Sequence, residues 1–277
     1  MVARGREFLE RKGVESARLE AELLVAHALQ LDRLKLFLNL ERPVTRDEVA
    51  RARELLVRRA QGAPTAYLVG EREFYGRPFA VGPEVLIPRP ETELLVDRAR
   101  ERAGERQGLR VLDVGTGSGC IAISLALELD EAEVLAVDIS PAALAVARSN
   151  AERLGAAVEL LEGDGLGPAA ARGPFDLIAS NPPYVDPKDA PTLAAEVREH
   201  EPATALFAPA GDPDHWVQRL VREAPALLAP GGALLIELGA DQSERALAIA
   251  VDAGLEASVT PDLAGIPRVL EASATPR

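Results

Sequence analysis

Residues 110–120 read RVLDVGTGSGC, an apolar run that leads into a loop with a glycine at every second position. The apolar run is typical of a buried strand, and the segment that starts at Cys120, CIAISLALEL, is typical of a helix. Glycines between a strand and a helix allow a tight turn and let a ligand approach the backbone. The stretch therefore predicts the first strand–loop–helix unit of an α/β sheet, with a ligand site at the carboxyl end of the strand.

The rest of the chain repeats this alternation of strand and helix. Ser140 and Pro141 predict a helix start, because serine caps helices and proline suits the first helical turn. The alternation predicts parallel βαβ units with right-handed crossovers, and so a doubly wound open sheet. The further predicted strands are EVLAVD (133–138), AAVELL (156–161), FDLIAS (175–180) and GALLIEL (232–238).

The first 62 residues predict a small helical bundle. In ARLEAELLVAHALQ (17–30), Leu19, Leu23, Ala26 and either Leu29 or Gln30 share one helical face. Thr45 and Glu48 have the spacing of a capping box, which predicts a helix start. The bundle would either recognise a substrate or pack as an appendage, and the sequence favours neither.

Residues 63–88 alternate apolar with polar side chains between glycines, which predicts a β-hairpin. The predicted organisation is a helical substrate-recognition domain (1–62), a hairpin linker (63–88) and a catalytic α/β domain (89–277).

Composition limits the class of protein. The chain has 277 residues, 47% hydrophobic and 27% charged, which suits one large and one small globular domain. No apolar run approaches the ~20 residues that span a bilayer, and the first residues lack an apolar signal-peptide core. The single cysteine excludes an internal disulfide, and three scattered histidines predict no metal site. We expect a cytoplasmic protein.

The charge is unevenly distributed. The whole chain carries −13, but residues 1–75 carry 14 Lys and Arg against 12 Asp and Glu, so the remainder carries −15. A strongly acidic domain repels phosphate backbones. The charge therefore weighs against a nucleic-acid substrate.

The glycine loop and a later acid together predict an adenosine-bearing cofactor. Cys120 stands where a dinucleotide fingerprint starting at Gly115 needs its last glycine, and no Gly-Lys-Ser/Thr follows to make a phosphate loop. Asp138 ends the second strand, where an acid can accept both hydroxyls of a ribose. Its other interpretation is a helix cap, a role that Ser140 already fills. Asp164 follows the third strand and either accepts from the adenine amino group or caps a turn.

Residues 181–184, Asn-Pro-Pro-Tyr, follow the fourth strand and predict a methyl-transfer site. The carboxamide oxygen of Asn181 and the carbonyl of Pro182 can accept both hydrogens of a substrate –NH2 group, because proline has no N–H and a fixed φ. Tyr184 can stack on a planar group. With S-adenosylmethionine as an electrophilic methyl donor, orienting the nitrogen is the main task of the enzyme. Alone, the motif is a rigid proline turn.

With these motifs the sequence resembles the release-factor glutamine methyltransferase family (HemK/PrmC). The resemblance rests on PTAYLVGEREFYG (64–76), VLIPRPETELLVD (85–97), LDVGTGSGC (112–120), DISP (138–141), SNPPYV (180–185), HEPATAL (200–206), GGALLIELGADQ (231–242) and DLAGIPRVL (262–270). It implies a class I S-adenosylmethionine-dependent methyltransferase fold: a mostly parallel seven-stranded, Rossmann-like sheet with an N-terminal helical domain and a hairpin linker. It also implies methylation of the glutamine amide in the Gly-Gly-Gln motif of class 1 peptide chain release factors.

The resemblance also assigns residues. The cofactor would be bound by the glycine loop and four further positions, with catalysis by Asn181, Pro182 and Tyr184. The expected cofactor contacts are Gly115, Thr116, Gly117, Ser118, Gly119, Asp138, Asp164, Gly165 and Asn181, and the expected substrate contacts are Asn181, Pro182, Pro183 and Tyr184. Residues 89–92 either border the methyl-donor site or stiffen the linker. Gly165 departs from the bulky residue usual there, and APAGDPD (208–214) departs from the family's Gly-Gly-x-Asp-Gly.

Two alternative enzymes and one alternative class remain. A relative that methylates a glutamine of a ribosomal protein is compatible with every motif. An adenine-N6 nucleic-acid methyltransferase shares Asn-Pro-Pro-Tyr but disagrees with the acidic charge. A module that binds S-adenosylmethionine without catalysis would have no use for the two acceptors, Asn181 and Pro182, that grip a substrate –NH2 group; we call this pair the nitrogen clamp.

Overall fold

The computed structural model describes residues 1–39 and 41–274, which fold as two compact units. The N-terminal unit consists of residues 1–71 together with 194–200. The second unit consists of residues 72–193 and the chain from residue 201. No helix in the described ranges is long and apolar enough to cross a membrane.

The elements follow the predicted order. The helices are α1 (Val2–Arg11), α2 (Ala17–Ala28), α3 (Arg33–Leu38), α4 (Arg46–Ala60), α5 (Thr65–Val69), α6 (Glu93–Ala103), α7 (Cys120–Glu128), α8 (Pro141–Leu154), α9 (Ala195–His200), α10 (Ala203–Leu206), α11 (His215–Glu223) and α12 (Ser243–Asp252). The strands are β1 (Glu71–Phe74), β2 (Arg77–Ala80), β3 (Arg110–Val114), β4 (Glu133–Asp138), β5 (Val158–Glu162), β6 (Phe175–Ser180), β7 (Leu228–Glu237), β8 (Leu255–Pro261) and β9 (Pro267–Ala274). Short 3-10 turns cover Pro90–Thr92, Gly167–Arg172, Pro187–Thr192 and Ala224–Ala226.

The helices of the N-terminal unit pack around α2, and the predicted face is buried only in part. Ala26 and Leu29 are buried, but Leu19 is 42% exposed. The buried residues of α2 are Ala17, Ala21, Glu22, Leu24, Val25, Ala26 and Ala28. Alternative apolar stripes exist because apolar side chains surround much of this helix. The capping box of α4 is confirmed: the Thr45 hydroxyl accepts from the Glu48 N–H at 3.2 Å, and the Glu48 carboxylate accepts from the Thr45 N–H at 2.8 Å.

The segment 194–200, which contains α9, belongs to the N-terminal unit although it is distant in sequence. The guanidinium of Arg59, on α4, pairs with Glu196 at 2.7 Å and also with Glu20 on α2. The Arg59 side chain is only 10% exposed, whereas that of Glu196 is 38% exposed, so the pair lies at the edge of the unit's core. No sequence pattern predicted this return of the chain.

A two-stranded hairpin, β1–β2, opens the second unit. Tyr75 and Gly76 form its turn with φ of 52° and 71°, values typical of the tight turns that match strand twist. Phe74 and Phe79 are buried, with their rings edge-on at 6.0 Å. The hairpin is therefore fixed to the α/β core by its aromatic side chains.

The large sheet confirms the predicted class. Its strand order is β5-β4-β3-β6-β7-β9-β8; all neighbouring pairs from β5 to β7 are parallel, and β9 is antiparallel to both β7 and β8. Apolar clusters cover both faces of the sheet. The strand order reverses between β3 and β6, and in such sheets ligands bind in the crevice at the carboxyl ends of the strands beside this reversal.

Candidate active site

A cavity of about 410 Å³ opens at the carboxyl ends of β3, β4 and β6. This volume is in the range of small-molecule sites. Its walls come from the glycine loop, from residues 84–92, from residues 181–183 and from residues 202–209. The polar and aromatic residues that line it include Arg89, Thr92, Thr116, Ser118, Asp138, Ser140, Asp164, Asn181, Thr204, Phe207 and Trp216.

The glycine loop is held against β4 by Asp138. One oxygen of this carboxylate accepts from the Gly117 N–H at 2.8 Å, and the other accepts from the Ser140 N–H at 2.9 Å. Gly117 has a φ of 54°, a conformation that favours glycine. The Ser140 hydroxyl caps α8 by accepting from the Ala143 N–H at 3.2 Å, as predicted. Asp138 lines the cavity, and its contact with a ribose stays a prediction.

Gly119, the last glycine of the loop, lies outside the residues that line the cavity. A Cβ at this position would lie 2.8 Å from Cδ1 of Ile123 and 3.2 Å from Cβ of Ala147. The glycine therefore lets the start of α7 pack closely against α8. Gly115, Thr116, Gly117 and Ser118 do line the cavity.

Asp113, at the end of β3, is a buried polar residue that the sequence pattern did not single out. Its carboxyl accepts from the Thr116 hydroxyl at 2.7 Å and from the Ala122 N–H at 3.2 Å. Burial raises the pKa of this carboxyl to about 7, and these two hydrogen bonds oppose the rise. Asp113 thus links β3, the loop and the first turn of α7.

Asn181, the first residue after β6, is anchored by its amino group. Its Nδ2 donates to the Thr92 hydroxyl oxygen at 3.1 Å, so its carboxamide oxygen is on the side away from Thr92. The preceding Ser180 is fixed as well, because its hydroxyl donates to the Val114 carbonyl at 2.7 Å. Pro182 and Pro183 also line the cavity. The arrangement offers a fixed carboxamide acceptor beside the glycine loop.

Tyr184 is not among the residues that line this cavity. Its ring packs against Gly239, where a Cβ would lie 3.1 Å from Cδ2 of the ring. Burial raises the pKa of Tyr184 to about 12, so the phenol is neutral at physiological pH. The structure places the ring beside the clamp, and its stacking on a substrate stays a prediction.

Arg219 and Trp216 on α11 occupy the region of Gly165. The Arg219 guanidinium pairs with the Asp164 carboxylate at 2.7 Å and stacks over Trp216 at 5.1 Å from the ring centroid. A Cβ at Gly165 would lie only 2.6 Å from Nη2 of Arg219. Arg219 therefore takes the space that a side chain at position 165 would need. Neither α11 residue was singled out from the sequence.

Glu201 joins two walls of the cavity. Its carboxylate accepts from the Ile87 N–H at 3.1 Å and from the Arg89 guanidinium at 2.6 Å. Its side chain is only 1% exposed. In the sequence, Glu201 could be noticed only as an acid before Pro202 in HEPATAL (200–206), and nothing indicated that it binds Ile87 and Arg89.

These residues fit a nucleoside-bearing cofactor. Asp138 offers acceptors for hydroxyls, the loop backbone permits close approach, and apolar side chains such as Val85, Leu86, Ile121 and Phe207 supply surface for a flat base. Cys120 also lines the cavity, but burial raises the pKa of its thiol to about 12, which excludes a thiolate nucleophile at neutral pH.

Comparison with protein families gives two matches along the chain. Residues 1–70 match the PrmC N-terminal domain, and residues 90–211 match the methyltransferase small domain. The two matches leave the hairpin between them.

Two relatives illustrate the similarity over the full length. The chain is 45% identical over 266 residues to a release factor glutamine methyltransferase of Geobacter sulfurreducens, covering 96% of this chain and 92% of the relative. It is 47% identical over 245 residues to a release factor glutamine methyltransferase of Chlorobaculum tepidum, covering 84% and 82%.

Solved structures share the fold. A methyltransferase from Pyrococcus furiosus superposes with a TM-score of 0.53 at 20% identity, covering 73% of this chain and 91% of that chain. A T. thermophilus 16S rRNA N2 G1207 methyltransferase, solved in complex with AdoMet and guanosine, gives a TM-score of 0.51 at 20% identity, covering 74% and 50%. At this identity the likeness concerns the fold alone.

Proposed function

The chain belongs to the release factor glutamine methyltransferase family, and from this premise we propose how its site methylates glutamine. The substrate is the side-chain amide nitrogen (N5) of the glutamine in the Gly-Gly-Gln motif of class 1 peptide chain release factors. The methyl donor is S-adenosyl-L-methionine, and S-adenosyl-L-homocysteine is the product. The observation that carries the proposal is Asn181, whose amino group is bound by Thr92 and whose carboxamide oxygen is left to accept.

The cofactor is held in the cavity by the glycine loop and Asp138. When bound, S-adenosylmethionine supplies a methyl group on a positively charged sulfur. Gly115 to Ser118 border its amino-acid portion, and Asp138 accepts from the ribose hydroxyls. Trp216, with Asp164 and Gly165, forms the wall for the adenine, and Arg219 supports this wall from behind through its contacts with Asp164 and Trp216. Gly119 acts by packing rather than by contact. No metal takes part.

The acceptor amide is oriented by the residues after β6. The Asn181 oxygen and the Pro182 carbonyl would each accept one hydrogen of the glutamine –NH2, which would turn the nitrogen lone pair out of conjugation. The nitrogen that gains the methyl group loses one proton, which passes to water or to a group beside Asn181. Pro183 fixes the turn and Tyr184 packs on the glutamine side chain. Orientation of this kind lowers the barrier because the reacting atoms are already aligned.

The three predicted segments have different roles. Residues 1–62 bind the folded release factor, residues 63–88 connect the two domains, and residues 89–277 bind the cofactor and carry out the methyl transfer. Since release factors act in translation, the enzyme acts in the cytoplasm. Neither a nucleic acid nor a membrane is a partner in this proposal.

The rival substrates are separable by one assay. The purified protein is incubated with methyl-labelled S-adenosylmethionine and, in parallel, with a class 1 release factor, a Gln→Ala release factor altered in Gly-Gly-Gln, a ribosomal protein and DNA. We expect label in the unaltered release factor and none in the altered one. Label in the ribosomal protein or in DNA, without label in the release factor, would refute the proposal.

A further inference from the structure

Ala80, the last residue of β2, lies on an edge strand of the two-stranded hairpin. An edge strand has backbone N–H and C=O groups that need a partner from outside its sheet. The side chain of Asn150, on α8, supplies a partner for both groups. Its Oδ1 accepts from the Ala80 N–H at 2.8 Å, and its Nδ2 donates to the Ala80 carbonyl at 3.0 Å. The carboxamide therefore pairs with β2 as the backbone of a third strand would.

The same carboxamide also holds the glycine loop. Its Nδ2 donates a second hydrogen to the Ser118 carbonyl at 2.9 Å, and Ser118 lines the cavity. Ala147, one turn before Asn150 on α8, has its Cβ 3.2 Å from where a Cβ at Gly119 would lie. One face of α8 thus supports the loop that we propose borders the amino-acid portion of the cofactor.

The orientation of the Asn150 carboxamide is fixed by its partners. Oδ1 accepts a further hydrogen bond from the Arg153 guanidinium at 3.2 Å, and the residue is 0% exposed. An N–H group can only donate and a carbonyl can only accept. A half-turn of the carboxamide would therefore place donors against donors and acceptors against acceptors. Both hydrogens of Nδ2 and both acceptor sites of Oδ1 are used in the observed orientation.

Asn150 joins two walls of the cavity through these contacts. One wall is the glycine loop, which it holds at Ser118. The other wall is the segment that follows β2, of which residues 84–86, 88 and 89 line the cavity. Ala80 itself is not among the lining residues, so Asn150 holds the start of this second wall from behind.

We propose that Asn150 is a positioning residue for the methyl donor, and that the hairpin is a working part of the cofactor site. Asn150 holds Ser118 and Ala80 in a fixed relation, so the loop is in its binding conformation before the cofactor arrives. The inference rests on the proposed function, since it assumes that S-adenosylmethionine occupies the cavity.

Asn150→Asp tests this role with almost no change of shape. The replacement keeps an acceptor for the Ala80 N–H, but it places a carboxylate oxygen against the carbonyls of Ser118 and Ala80. The loop then relaxes, and the apparent affinity falls with the fraction of molecules that keep the binding conformation. We expect the Kd for S-adenosyl-L-homocysteine, measured by calorimetry, to rise about 10-fold, the scale of one unpaired buried polar group.

The division of the effect between KM and kcat separates positioning from support of the fold. At saturating S-adenosylmethionine the loop is restored, so Asn150→Asp should keep kcat for a release factor within about twofold while KM for S-adenosylmethionine rises about 10-fold. A residue that only stabilises the fold would lower the melting temperature and the apparent kcat, with KM for S-adenosylmethionine unaltered. That result would overturn the inference.

Asp176 offers a matched control at the other end of β3. Its carboxylate accepts from the Arg110 N–H at 3.0 Å, so it also links a side chain to the backbone of another element. Arg110 begins β3, whereas the glycine loop follows the end of this strand. Asp176→Leu should lower the melting temperature and leave the Kd for S-adenosyl-L-homocysteine unchanged.

Hydrogen exchange tests the coupling in the unaltered protein. The residues of β2 (Arg77–Ala80) do not line the cavity, so a ligand in the cavity does not cover them. Saturating S-adenosyl-L-homocysteine should nevertheless slow amide exchange in β2 as well as in residues 115–119. In Asn150→Asp the slowing in β2 should be lost while that in the loop remains. Slowing confined to the loop of the unaltered protein would refute the coupling.

The outcomes also separate this inference from the proposed function. Equal Kd values for the unaltered protein and Asn150→Asp would overturn the inference and leave the function standing. No binding of S-adenosyl-L-homocysteine by the unaltered protein would overturn both. If Asn150→Asp does not fold, as judged by its melting temperature, the exchange experiment on the unaltered protein decides.

Discussion

Asp138 and Asn181 each contact other residues of the protein and still keep acceptor atoms free for a ligand. Asp138 already accepts from two backbone N–H groups, yet each carboxylate oxygen has a second lone pair. Holding the loop and accepting from a ribose are therefore compatible. In Asn181 the two ends of the carboxamide have different partners. The amino group donates to Thr92, and the oxygen is available to a substrate.

Replacing Asn181 should affect the chemical step. We expect Asn181→Ala to lower the single-turnover rate by orders of magnitude, because the acceptor nitrogen is no longer oriented. Cofactor affinity should stay nearly intact. Rapid-quench measurements at saturating release factor, with calorimetry for the cofactor, check both. A variant that loses cofactor binding but keeps its rate would contradict the role.

Replacing Asp138 should affect the cofactor. Asp138→Ala should weaken S-adenosylmethionine binding by about 1–3 kcal/mol, the scale of hydrogen bonds to a charged acceptor. Calorimetry on both proteins measures this difference. Equal affinities would mean that the carboxylate serves only the backbone of the loop and the turn at Ser140.

Among the elements, α11 contributes the part of the site that the sequence left in doubt. The family places a bulky residue after Asp164, and this chain has Gly165. Arg219 on α11 lies where that side chain would be, and Trp216 on the same helix lines the cavity. Arg219 is held there by Asp164 and by the indole ring. A helix residue thus fills the space beside Gly165 that the sequence left open.

Removing the side chain of Arg219 should weaken cofactor binding. We expect Arg219→Ala to lower affinity for S-adenosyl-L-homocysteine by about 1–2 kcal/mol, because Trp216 loses its cation–π partner and Asp164 its ion pair. Calorimetry measures the change. The control is Arg222→Ala on the same helix, whose side chain is 74% exposed and which should bind normally. Equal affinity in the two variants would mean that Arg219 does not contribute to binding of the adenine.

Helix α3 presents large apolar side chains to solvent, so the recognition role that we propose for residues 1–62 can be tested on it. Leu34 and Leu38 are 69% and 74% exposed, and Phe37 is 40% exposed. Leu34→Ser with Leu38→Ser should lower kcat/KM for an intact release factor about 10-fold and leave a Gly-Gly-Gln peptide unaffected, because remote binding energy is lost. Val251→Ser, at a position 60% exposed on α12, is the matched control. Equal losses on protein and peptide would refute the recognition role.

For the molecule as a whole, two buried carboxyls link stability to pH. Burial raises the pKa values of Asp113 and Glu237 to about 7, from 3.8 and 4.5. The folded state keeps protons that the unfolded state has lost in this interval. Their contribution to stability is therefore full below about pH 4 and is lost as the pH rises through 7.

The double variant Asp113→Asn with Glu237→Gln removes this linkage. We expect the free energy of unfolding of the unaltered protein to fall relative to that of the variant between pH 4 and pH 8, as measured by urea denaturation. The pair of Arg42 and Glu48 should act in the opposite direction, because Arg42 holds the pKa of Glu48 at about 2. The free energy of unfolding of the unaltered protein should therefore rise relative to that of Glu48→Gln as the pH increases from about 2 to about 4. Parallel stability curves for the unaltered protein and the double variant would contradict the raised pKa values.

Much of this fold was predictable because its signals are local. The apolar run before Gly115, the cap at Ser140 and the proline turn after Ser180 each act over a few residues. They were enough to predict the strands and the class of the sheet, but not the order of its strands. Thr92 and Arg219 were not predictable as partners of Asn181 and Asp164, because these contacts join positions far apart in sequence. The buried face of α2 was predicted only in part, because apolar residues surround most of that helix.

The return of residues 194–200 to the N-terminal unit has a consequence for biosynthesis. Residues 1–71 leave the ribosome first, but Arg59 cannot meet Glu196 until residues 72–193 have also been translated. At about 5–20 residues per second, this wait lasts on the order of 10 s. The nascent N-terminal helices therefore emerge with an ionic partner missing, and the unit that we propose recognises release factors is completed only late in its own translation.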